Sequence, residues 1–173
     1  LNIGDEVLVY KANMIIPQIA DNLSKTLENV DDVLPDECPV CHSRIERRND
    51  NGSEYAYCPN DMCAAKQIGS FVHFASRDAM DIRGLSEKKL ETLVDNGIIE
   101  NFVDIFHIAE QEELITELPG FGKQSARNLV DAVERARECT ASKFIYALGI
   151  NNVGRSAAKD LCSSFDNDIM DII

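Results

Sequence analysis

Four of the six cysteines stand as C-x2-C-x16-C-x4-C, at Cys38, Cys41, Cys58 and Cys63, and no other feature constrains the fold of this chain as strongly. Two short chelating loops let pairs of thiolates converge at about 2.3 Å on one tetrahedral Zn2+, and the stretch between the pairs must turn back as a hairpin. Pro39 and Pro59 each follow the first cysteine of a pair, where a stiff turn helps. Four sulfurs leave no position for water, so the ion is expected to be structural and not catalytic. His42 is then a surface neighbour, His73 and His107 are core or surface residues, and Cys139 and Cys162 read as small buried hydrophobes. Cysteines used in this way predict a reducing compartment, the cytoplasm.

The 173 residues can hold one domain or two small ones. No apolar run approaches the roughly 20 residues of a membrane span, so no membrane partner is expected. Near the start, Val7 to Tyr10 and Met14 to Ile16 are short β-branched runs, the second closed by Pro17. They read as two strands that cannot bury their faces alone, the tail of a β-domain. Both ends look cut: the first residue is Leu1, and the last residues, DNDIMDII, carry no stop signal. From Phe71 onward the hydrophobic period is helical, with helices expected after Ser86 as cap and before Gly97, which stands just past the end as the stop, then at Phe102 to Ala109, Gln111 to Leu118, Lys123 to Glu138, Ser142 to Leu148 and Arg155 to Ser164. The fold class expected is mainly α with a small β part.

The helical half contains a repeat. Gly122-KQSARNLV matches Gly154-RSAAKDLC at an offset of 32, and Ser86-EKKLETLV fits more loosely at an offset of 36. Each copy reads as helix, tight glycine turn, helix. Such a turn leaves backbone N–H groups free at the start of the second helix, next to the positive end of its dipole, which suits a phosphate oxygen. Glycine there avoids a side chain that would hold a nucleic-acid backbone away. Lys123, Arg127, Arg155 and Lys159 follow, placed to add charge.

The net charge of -13 argues at first against such a partner. Its distribution changes that reading. Residues 77–117 hold eleven acidic against four basic residues, whereas residues 118–173 hold seven of each. A duplex would then be held by backbone amides and a few placed cations, and weakly.

Taken together, CPVC with C-x4-C, then HFASRDAMDIRGLSEKKLETLVDNGII, ELPGFGKQSARNLV and FIYALGINNVG, in that order, resemble the bacterial NAD+-dependent DNA ligases over essentially the whole chain. The resemblance implies the end of an OB-fold domain at 1–28, a linker at 29–37, a four-cysteine zinc finger at 38–67 and a helix-hairpin-helix domain at 68–173, incomplete at its C-terminus. It implies a parent enzyme that uses NAD+ and Mg2+ to seal nicks in duplex DNA during replication and repair, as a monomer in the bacterial cytoplasm. The adenylated lysine of the family lies in a K-x-D-G motif that does not occur here, so this chain is expected to hold no catalytic residue and to be inactive alone. Its partners would be nicked duplex DNA and other domains of the same chain. The residues carried over as DNA contacts are Gly84, Gly120, Gly122, Gly149 and Gly154 with the four cations above. Lys11 joins them from the OB-fold end, where Asn13 and Met14 depart from the family pattern, and Arg44, Arg47 and Arg48 are possible contacts on the finger. The alternative is a non-catalytic zinc and helix-hairpin-helix adaptor that brings a nuclease or helicase to DNA.

Overall fold

The computed structural model describes residues 4–13, 15–24, 34–50 and 52–172. Met14, Ile173 and the greater part of the expected linker therefore lie outside the described residues. The chain divides into two compact units, Leu1–Asn60 and Asp61–Ile173. The division falls inside the short loop that carries the last cysteine pair. Small sheets in the first unit and helices in the second make the fold mainly α with a small β part.

In the first unit, β1 (Val7–Ala12) pairs antiparallel with β2 (Ile16–Asn22), with an irregularity between Leu8 and Val9. Asn13 turns the chain with φ 50°, a conformation that asparagine tolerates. The sequence placed Pro17 at the end of the second strand. It is instead near the beginning of β2, opposite Lys11, because in a two-stranded ribbon both strands are edges and one missing N–H breaks no inner ladder. Leu8, Val9, Tyr10, Ile16 and Ile19 are each about half exposed, so the ribbon buries neither face among the described residues. A second hairpin, β3 (Glu46–Asp50) with β4 (Ser53–Tyr57), fills the long interval between the cysteine pairs.

The second unit begins with α1 (Ala64–Ala75), directly after Cys63. Helical structure thus starts seven residues before Phe71, where the periodicity suggested it. Ile68, Phe71, Phe74 and Ala75 form its buried stripe. Then come α2 (Glu87–Asp95), α3 (Phe102–Ile105), a 3-10 turn (Ile108–Gln111), α4 (Glu112–Thr116), α5 (Lys123–Ala136), α6 (Ala141–Ala147) and α7 (Arg155–Ser164). The helix expected over Phe102 to Ala109 stops after one turn. Asn101 and Asp104 cap its start reciprocally, and beyond its end the Phe106 carbonyl accepts a hydrogen bond from Arg137.

The main core unites Phe74, Leu90, Leu93, Ile99, Ile105, Ile108, Ile115 and Leu129, all fully buried. Phe102 stacks on Phe74 at 4.6 Å between ring centroids and meets Phe71 edge-on. A smaller cluster of Ile145, Ala158 and Cys162 holds α6 against α7. Cys162 is fully buried, as the sequence suggested, whereas Cys139 is half-buried just past α5.

Candidate metal centre and nucleic-acid interface

The first cysteine pair sits in a tight loop. Glu37 and Arg44 form a bridge, the Cys38 N–H donates to the Ser43 carbonyl at 2.8 Å, and the His42 N–H donates to the Cys38 carbonyl at 2.9 Å. His42 takes φ 57° to complete the turn and is exposed. The β3–β4 hairpin then returns the chain to Cys58, whose Sγ lies 3.5 Å from that of Cys41. Cys63 occupies the position just before α1, and its carbonyl accepts from the Gln67 N–H at 3.0 Å, so the helix fixes its backbone.

All four Sγ atoms lie within 4.8 Å of one another. Around zinc at about 2.3 Å, four tetrahedral sulfurs would be about 3.8 Å apart. The cluster is therefore close to the required size, and its cysteines are free of disulfides. It could hold a metal ion, and the number and type of donors match zinc.

The thiols are unequally prepared. The Ser43 hydroxyl and N–H beside Cys41 hold its thiol down at about 5. N–H groups of Cys41 and Val40 lower Cys38 as well. Burial pushes Cys58 up to about 11. A bound divalent cation would remove that proton by direct coordination.

Elsewhere the repeated turns share one local geometry. In the second copy, Gly120 has φ 82°, Phe121 packs on the core, and Gly122 precedes the first residue of α5. In the first copy Gly84 has φ 98°, Leu85 is buried, and Ser86 precedes α2. In the third, Asn152 has φ 66°, Val153 packs on the smaller cluster, and Gly154 precedes α7. The carbonyls of Ser86, Gly122 and Gly154 accept from the N–H groups of Leu90, Ala126 and Ala158, all buried, and in the first copy the Lys89 N–H shares the Ser86 carbonyl. Asparagine thus stands where the other two copies have glycine, which the sequence reading passed over although an NNVG run is a turn signal. Gly149, which that reading singled out, ends α6 with φ 65°, and a Cβ there would meet the His73 ring at 3.5 Å.

None of α2, α5 and α7 receives a side-chain cap at its N-terminus, Ser86 included. Gly122 and Gly154 are exposed with ordinary negative φ values, and a Cβ at either would meet no atom within 4 Å. Neither backbone strain nor packing within the protein demands glycine there. Lys123, Arg127 and Lys159 are exposed nearby, while Arg155 pairs with Asp78 at 3.1 Å. Lys11 is exposed on β1, away in sequence from the turns. On the β3–β4 hairpin, Arg48 lies over the Tyr57 ring and pairs with Glu46 at 2.9 Å, and Arg47 approaches Glu54. Arg44 is exposed in the first cysteine loop.

No protein-family model matches the chain. Curated relatives do. A protein named DNA ligase from Lachnoclostridium phytofermentans is 51% identical over 97% of this chain, and one from Ruminiclostridium cellulolyticum is 47% identical over the same share. A DNA ligase from Alkaliphilus oremlandii is 40% identical over 95%. The chain belongs with a segment of the bacterial DNA ligases. It spans about a quarter of the length of those ligases. Within this ligase segment, Lys89 and Ser125 form a further contact that motif reading missed: the Lys89 Nζ donates to Ser125 Oγ at 2.6 Å and lies 4.6 Å over the Phe121 ring.

Proposed function

We propose that this chain is the DNA-holding part of an NAD+-dependent DNA ligase that seals nicks in duplex DNA. The observation that carries the reading is the bare surface at Gly122 and Gly154: glycine that the fold itself does not require, set over helix N-termini that no side chain caps. An exposed N-terminal turn of this kind offers N–H donors and a positive dipole end to a phosphate. Missing side chains at the tip let a nucleic-acid backbone come close. Gly84 and Gly120 contribute by turning the chain into α2 and α5 with positive φ.

In this reading Lys123, Arg127 and Lys159 add charge to the same surface, and Arg155 exchanges its exposed partner Asp78 for phosphate at little cost. Gly149 shapes the approach to the third turn, and Lys11 makes a lesser contact from the OB-fold end. Contacts of this type position a duplex without reading its sequence, as an enzyme that seals any nick requires. The domain assignment 1–28, 29–37, 38–67 and 68–173 is part of the proposal.

Zinc, held by Cys38, Cys41, Cys58 and Cys63, would tie the first cysteine loop, the β3–β4 hairpin and the start of α1 at one point. It supplies cross-linking and no chemistry, since four thiolates close its coordination sphere. NAD+ and Mg2+ act in the rest of the parent enzyme, because the lysine of K-x-D-G is not among these residues.

A titration of the chain with nicked duplex across a salt series tests the reading. Binding should weaken linearly in log affinity against log salt, and G122E should weaken it about tenfold or more by adding bulk and negative charge at a phosphate site. Binding that ignores salt, or a G122E variant that binds like the parent, defeats it.

A further inference from the structure

The geometry points to Lys89 as a positioning residue that sets the separation of the first two phosphate-gripping turns. This rests on the DNA-holding function proposed above and names a residue through which it works. Lys89 lies three residues after Ser86 in the first turn of α2, and Ser125 lies three residues after Gly122 in the first turn of α5. Their 2.6 Å hydrogen bond therefore joins equivalent points of two copies of the repeat, at the 36-residue offset that relates them. The same ammonium faces the ring of Phe121, the central residue of the second turn. One side chain from the first copy thus contacts both the helix and the turn of the second.

The third copy lacks this link. Its equivalent position is Ala157, and its α7 is tied elsewhere, through Arg155 to Asp78. Lys89 is half-buried, in contrast to the exposed Lys123 and Arg127 on α5. Its ammonium is engaged by the Ser125 hydroxyl and the Phe121 ring, both of the second copy, so its contribution to binding is geometric.

Two turns that grip phosphates of one duplex act as a bivalent binder, whose advantage depends on the turns being held at the spacing of the phosphates they meet. Releasing the Lys89–Ser125 tie lets that spacing vary, and each duplex bound must then restrict it.

The test compares K89M, S125A, the double variant and K89R in the full chain, with nicked duplex titrated across a salt series. K89M and S125A should each weaken affinity about three- to tenfold, with the double variant no weaker than K89M, since both remove one tie. The slope of log affinity against log salt should stay at the parent value, because no phosphate contact is lost. K89R, which keeps a donor and a cation over the ring, should restore most of the affinity. S125A removes only the acceptor oxygen and carries the test alone if K89M does not fold. Parent-like affinity of S125A and K89M overturns the inference, as does a slope reduced by about one with S125A neutral, which would make Lys89 a direct phosphate contact. G122E measured alongside separates the layers. A neutral G122E removes the DNA-holding reading itself, whereas a weakened G122E with neutral K89M and S125A removes only the positioning role.

Discussion

Two thiols 3.5 Å apart hold their protons very differently here. Cys41 is pulled down to about 5 by the hydroxyl and N–H of Ser43, and Cys58 is pushed up to about 11 by burial. The signs differ accordingly. For Cys41 the folded value is depressed, so its thiolate favours the fold above the ordinary thiol range and that benefit fades as pH falls toward about 5. For Cys58 the folded value is raised, so its contribution is present below the ordinary range and is lost as pH rises toward about 11. A metal ion must displace the Cys58 proton at neutral pH but finds Cys41 already ionised. Zinc affinity should therefore rise from pH 6 to 8, with Cys58 contributing about tenfold per unit. Competition with a chelator at several pH values checks this: a C58S variant should lose that part of the slope and C41S should keep it. The cysteine spacing was fully legible in the sequence because ligand geometry is written in short-range spacing. The contrast between the two thiols was not, since it depends on which groups the folded loop packs around each sulfur.

At the scale of elements, the turn before each repeated helix places a residue of positive φ two positions ahead of the residue that precedes the helix. Gly84, Gly120 and Asn152 fill that position. Asn152→Val should cost about 1–2 kcal/mol, since a β-branched side chain in left-handed backbone meets its own carbonyl, while Asn152→Gly should be close to neutral. Thermal unfolding of the two variants beside the parent gives the difference, expected as a loss of roughly 2–8 °C for the valine. The repeat was visible because its buried positions recur at Leu90, Ala126 and Ala158 and, three residues later, at Leu93 and Leu129, with Leu161 half-buried at the matching place in the third copy. Helix limits were less so. A continuous helix over Phe102 to Ala109 would suit the local apolar pattern, yet the structure breaks it, which frees the Phe106 carbonyl for Arg137 at the far end of α5 and turns both Ile105 and Ile108 fully inward. Likewise Gly69 inside α1 weakened the helical signal there, and packing of Ile68, Phe71 and Phe74 overrode it.

For the molecule as a whole, the candidate metal centre and the main core are built from different residues. None of the four clustered cysteines belongs to the core built around Phe74, Leu90 and Leu129. Stripping the ion with a chelator should therefore unfold the cysteine loop and the β3–β4 hairpin while most of the far-ultraviolet helical signal survives; loss of the helical signal in the same step would show the two to be one cooperative unit. Charge obeys a similar separation. The acidic excess of residues 77–117 includes Glu110, Glu112, Glu113 and Glu117 around the 3-10 turn and α4, whereas the turns that open α5 and α7 are followed by exposed Lys123, Arg127 and Lys159. By itself the sequence determined the four cysteines that come together, the mainly helical class, the repeated turns and the relation to DNA ligases, because each is carried by spacing or composition over short stretches. Only the tertiary structure decided that Asn152 completes the third turn, that Gly122 and Gly154 are glycine for no reason internal to the fold, and that Lys89 reaches Ser125 across 36 residues. Those facts depend on which backbone angles the packed chain adopts and which side chains it brings within a few ångströms, and neither is encoded in any one local segment.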